Sequence, residues 1–146
     1  MITPEYITMF KGTDTYKKIS SGVLEGHIKA VLIGEDGLGV SYSTEYSPTV
    51  PSQVLIGLHI LLLERKISRD KISEVFKNIP VTSKNVLLIL DYLRTYLKYI
   101  EDNDLIKLDY RSKLKEVIQS RDIFSSKPGF EELLNEIIRK AGNAEA

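Results

Sequence analysis

The chain has 146 residues, 42% of them hydrophobic and 27% charged, a composition that suits one globular domain with its own core rather than a disordered segment. Lys plus Arg and Asp plus Glu number 20 each, so no global field draws the chain to nucleic acid or an anionic membrane, and any such contact has to be a local patch. Cysteine is absent, which excludes disulfides, thiolate metal sites and a cysteine nucleophile, and makes the cytoplasm the default compartment.

Met1-Ile2-Thr3-Pro4-Glu5 lacks the basic start and apolar run of a signal peptide. Plentiful Ile and Lys with no Trp give a loosely thermophile-like composition. The longest apolar run, Val54 to Leu63, is interrupted by Gly57 and His59 and falls short of the roughly 20 residues of a membrane span. No membrane contact is expected.

Thr3 as a cap and Pro4 at a first helical position predict a short helix through Phe10, interrupted by Gly12, Thr13 and Asp14. The run Ile28 to Ile33, the turn Gly34-Glu35-Asp36-Gly37 and the run Leu38 to Ser43 predict a β-hairpin over His27–Ser43. An earlier strand around Ile19–Leu24 would make it a three-stranded meander. Ser47-Pro48-Thr49-Val50-Pro51 then marks a boundary, after which the apolar period becomes helical.

The first helix beyond it runs from Pro51 or Ser52 to about Lys66, and a second begins at a Ser68 cap and ends at Pro80. A third starts at Thr82 or Ser83 and continues to Ile100, where Glu101-Asp102-Asn103-Asp104 stops it. A fourth covers about Tyr110–Ile123, with Leu114, Val117 and Ile118 inward. The fifth follows Ser125-Ser126-Lys127-Pro128, carries Phe130, Leu133, Leu134, Ile137 and Ile138 on one stripe, and closes at Gly142. The expected fold is therefore α+β and predominantly α, with an N-terminal hairpin or meander packed on about five helices. It forms one domain over 1–146: a β-rich part over 1–47, a helical part over 48–142 and a frayed tail over 143–146.

The helices over 51–66 and 82–100 are apolar nearly all round, whereas a surface helix needs only a stripe about 100° wide. They either pack on each other under the remaining elements, or leave part of their surface as an interface with a second copy or another subunit. Leu88, Tyr92, Tyr96 and Tyr99 are the candidate interface residues, since a tyrosine joins an apolar ring to a polar end.

The catalytic inventory is thin. His27 and His59 have no companions at metal-ligand spacing, and His59 sits inside an apolar helix. No Gly-x-Ser-x-Gly elbow occurs, and Gly34, Gly37 and Gly39 belong to the hairpin pattern rather than to a phosphate loop leading into a helix. Glu101, Asp102 and Asp104 lack the glycine of a calcium loop and read as a solvated helix end. No catalytic residue, metal ligand or cofactor is expected; an enzyme would have to assemble its site from Tyr, Glu and Lys side chains.

Residues 54–108 resemble the order of parts in helix-turn-helix and winged-helix DNA-binding domains. The segment Ile67 to Phe76 looks like the second helix, Pro80 to Val86 like the turn and the start of the reading helix, and Leu105 to Leu108 like a wing strand. The resemblance implies that Thr82, Ser83, Lys84 and Asn85 approach base edges, and that Arg65, Lys66, Arg69 and Lys77 contact phosphates. An antiparallel helical bundle accounts for the same pattern. The leading functional expectation is a non-enzymatic interaction or assembly subunit, a homo-oligomer or part of a larger complex that handles nucleic acid; the alternative is a winged-helix-like DNA-binding regulator.

Overall fold

The computed structural model describes residues 3–33, 50–99 and 106–145, and every regular element among them is an α-helix. In order these are α1 (Pro4–Lys11), α2 (Asp14–Leu24), α3 (Ile28–Ile33), α4 (Val50–Leu63), α5 (Arg69–Lys77), α6 (Val86–Tyr99), α7 (Tyr110–Gln119), α8 (Arg121–Phe124) and α9 (Phe130–Glu145). The expected α+β class is overturned: no strand occurs among the described residues, and the first run of the predicted hairpin is α3. Its turn at Gly34–Gly37 and its second run, Leu38–Ser43, lie outside the described residues.

The error has a physical cause. Ile28, Ala30, Val31 and Leu32 are all buried, and a short run that is apolar at consecutive positions has no period to separate a buried strand from a buried helix. Tertiary surroundings decide instead: α3 is enclosed by α2, α4 and α5, and Tyr92 Oη donates to the Leu32 carbonyl at 2.6 Å, satisfying one of the acceptors a helix end leaves open. The proposed strand at Ile19–Leu24 is likewise helical. Thr13 and Asp14, read as an interruption, are the N-cap and first residue of α2, with Tyr16 N–H donating to Thr13 Oγ1 at 3.1 Å.

The two strongly apolar helices, α4 and α6, pack directly on each other. On one side α1, α2 and α3 cover α4; on the other, α7 and α9 cover α6. The approach of α2 to α4 is close because position 57 is glycine: a Cβ there would meet Ile19 Cγ2 at 3.0 Å. Ser68 caps α5 as its position predicts, with Lys71 N–H donating to its Oγ at 3.1 Å.

Two helix ends and one strand differ from expectation in the C-terminal part. The helix predicted over Tyr110–Ile123 is broken at Ser120 into α7 and α8, and Gly142 does not close α9, which runs to Glu145. The segment Ile106–Leu108, the described part of the expected wing strand, is not a strand. No described helix is long and apolar enough to cross a membrane.

Candidate functional site

The surface feature with the most developed geometry is a groove between α6 and α9. Its apolar section, about 400 Å³, is walled by Leu87 and Leu88 from α6, Leu133 from α9, and Pro128 and Gly129 from the turn before α9. The polar section, about 450 Å³, continues past the shared residues Arg94 and Leu133 to Glu132, Asn135, Glu136 and Arg139. Leu87, Leu88 and Leu133 are half-buried, so each packs on the core with one flank and faces the groove with the other.

Helical period explains the arrangement. Phe130, Leu134, Ile137 and Ala141 recur at three- and four-residue spacing and turn one face of α9 into the core. Glu132, Asn135, Glu136 and Arg139 consequently face outward. From α6, Arg94 reaches across: its Nη2 donates to Asp91 Oδ1 at 2.8 Å, and its Nη1 lies 3.6 Å from Glu136 Oε2. Burial works against the charge on Arg94, but the hydrogen bond to Asp91 and the two carboxylates outweigh it and hold its pKa above the usual range. The far flank of α9 is fixed by Arg121, whose Nε donates to both Glu131 carboxylate oxygens at 3.1 Å; this pairing lowers the pKa of Glu131.

Of the four interface candidates, Leu88 lines this groove. Tyr92 and Tyr96 are core residues, 1% and 4% exposed, and their hydroxyls donate inward, to Leu32 O and, at 3.3 Å, to Ile106 O. Within this fold they are withheld from any surface. Tyr99 ends α6, and its side chain lies outside the described residues.

The eight nucleic-acid candidates fall into two groups at opposite ends of α5, whose nine residues span about 13 Å. At one end Arg65, Lys66 and Arg69 are exposed at the α4–α5 corner, with Lys66 Nζ 3.3 Å from Glu64 Oε1. At the other, Lys77 ends α5 and residues 82–85 lead into α6. Thr82 and Asn85 cap that turn reciprocally: Thr82 N–H donates to Asn85 Oδ1 at 2.8 Å and Asn85 N–H to Thr82 Oγ1 at 3.2 Å. Asn85 Nδ2 also donates to Pro80 O, and Lys127 Nζ to Ser83 O, both at 2.8 Å. The side chains of Thr82 and Asn85 are thus committed to the turn, while Ser83 and Lys84 are exposed.

Behind that turn lies a feature the sequence reading missed. Lys113 of α7 is 1% exposed, and its ammonium donates to Lys77 O at 3.0 Å, to Ile79 O, and to Glu116 Oε1 at 3.1 Å. Glu116 Oε2 in turn accepts from Val81 N–H at 3.2 Å. This pair, a buried lysine and a half-exposed glutamate, gathers the open carbonyls after α5 and ties the α5–α6 connection onto α7. The sequence offered no signal for it, since lysine is seldom fully buried unless paired.

No group of three His, Asp or Glu side chains capable of holding a metal occurs among the described residues; His59 is buried in α4, and His27 is exposed between α2 and α3. Comparison with known protein families, characterised proteins and solved structures finds no match.

Proposed function

We propose that this chain is a non-enzymatic interaction module whose docking surface is the α6–α9 groove. The observation that carries this reading is the sequence of chemistries along one groove: a leucine- and proline-lined section of about 400 Å³ that opens directly into a charged section. Protein-binding surfaces combine an apolar centre with a polar rim in this way, the centre supplying affinity and the rim orientation. Among the described residues no three histidines or carboxylates gather in one place. A cytoplasmic setting accords with the lack of cysteine.

Selection of peptides from a displayed random library on the immobilised protein tests this. Peptides with apolar anchors should be enriched and should lose binding to a folded Leu88→Glu variant. A library yielding nothing that distinguishes wild type from Leu88→Glu would sink the reading.

A second reading, contact with a nucleic-acid backbone, is favoured by one observation: Arg65, Lys66 and Arg69 stand exposed at a single corner. Fluorescence anisotropy at low salt should then show binding that weakens steeply with salt and falls in Arg65→Ala and Arg69→Ala. Absence of binding to duplex and single strand alike removes this idea.

A further inference from the structure

The outward face of α9 carries two opposite charges without a partner among the described residues. Of the five charged residues bordering the groove, Asp91, Arg94 and Glu136 are tied together. Glu132 and Arg139 form no hydrogen bond or ion pair among the described residues. They are seven residues apart, which places them on the same helical face, about 10 Å from each other and too far for a direct bond. We infer that their partners are each other's counterparts on a second copy of this chain, with α9 docked antiparallel on α9 of that copy. This rests on reading the α6–α9 groove as a docking surface and names its occupant.

The register follows from the sequence. A two-fold axis passing between Asn135 and Glu136 sets Glu132 of each copy opposite Arg139 of the other, because both lie equally far from the axis. Two identical Glu–Arg pairs then form, as a self-complementary two-fold interface requires. A parallel arrangement would instead put like charges together. The helix dipole alone favours acid near the start of α9 and base further on, but it leaves the neighbouring groove unfilled.

Size supplies a further constraint. The sixteen residues of α9 present a face of roughly 24 Å by 10 Å, well under the roughly 800 Å² per partner of a stable interface. The contact must therefore extend over the α6 wall, where Leu87 and Leu88 supply its apolar part.

Analytical ultracentrifugation of the full chain, with circular dichroism to confirm helicity, tests the inference. The wild type should dimerise, with roughly tenfold weaker association between 50 mM and 500 mM salt. Glu132→Arg alone and Arg139→Glu alone should each be monomeric, because each places like charges at both contacts. An equimolar mixture of the two should associate, since every contact again joins unlike charges, as should the double variant E132R/R139E. A wild type that stays monomeric at millimolar concentration overturns the inference, while the groove reading stands or falls with the peptide selection. A dimer unaffected by either single reversal also overturns it, by placing the contact elsewhere.

Discussion

Lys113 shows how much a single side chain contributes to this architecture. Its ammonium is enclosed and surrounded by two carbonyls and a carboxylate, with the Phe76 ring centroid 5.9 Å away. Truncation leaves the buried Ile79 carbonyl without this donor, so Lys113→Ala should cost about 2 kcal/mol in urea denaturation. A loss below about 1 kcal/mol would show that water replaces the ammonium without penalty. Arg65 points the other way. Both α2 and α4 end in the same pair of reversed bonds, His27 N–H to Gly22 O at 2.8 Å in one and Lys66 N–H to Leu61 O at 2.9 Å in the other. The left-handed position is Gly26 in α2, with φ +89°, but Arg65 in α4, with φ 57°. Arg65→Gly should therefore raise stability by about 1 kcal/mol, and a lowered melting temperature would count against this account. The αL position was not legible at Arg65, because arginine carries no preference for it, and Gly26 was passed over because the segment before it read as a strand.

Among the elements, those whose ends are marked chemically were legible. Thr3 and Ser68 mark helix starts that the structure retains, each accepting a backbone N–H, whereas the helix expected from Thr82 or Ser83 begins at Val86, after the turn that Thr82 and Asn85 cap. Asp109, which the sequence reading did not single out, caps α7: Ser112 donates to it from its hydroxyl at 2.8 Å and from its backbone N–H at 3.1 Å. The Ser112 hydroxyl, followed by the Ser112 N–H, lowers the Asp109 pKa. A carboxyl with a lowered folded-state pKa stabilises above its ordinary value near 4, and the contribution disappears as pH falls through the folded value. Asp109→Ala should cost about 1 kcal/mol at pH 7, and the gap between variant and wild type should narrow as the pH drops below about 4. A gap that stays constant down to pH 2 would exclude the carboxylate as its source. Helix α3 lacked such marks. With six residues, four of them buried, it offered neither a period nor a cap, and β-propensity filled the gap wrongly.

At the scale of the molecule, the apolar excess of the two central helices is mostly absorbed internally. Mutual packing of α4 and α6, with α1–α3 on one flank and α7 and α9 on the other, encloses Leu55, Leu58, Leu61, Tyr92 and Leu93 almost completely. Among the described residues, the edge of α6 beside α9, at Leu87 and Leu88, is left half-covered, as are Ile56, Leu62 and Leu63 of α4. Tyr92→Ala should accordingly cost about 3–5 kcal/mol, through cavity and lost contacts, whereas Leu88→Ala should cost less than about 2 kcal/mol. Equal losses in chemical denaturation would mean that Leu88 is a core residue and that the groove is closed in solution. From sequence, Leu88 and Tyr92 looked alike, both apolar-bodied residues on one long helix; their different fates depend on where α9 and α3 lie across from them.

The sequence by itself determined the helical half of the chain, its caps at Thr3 and Ser68, which two helices are the greasiest and the lack of a recognisable catalytic motif. Those properties are local: they depend on period, on residues that bond their own backbone, and on which residue types are present at all. Only the tertiary structure decided that Ile28–Ile33 is helical, that Lys113 is interior, and that Arg94, Glu132 and Arg139 share one groove. Each of these depends on distant segments brought into contact, and a buried apolar run or a lone charge has no local property that records which neighbour it will meet.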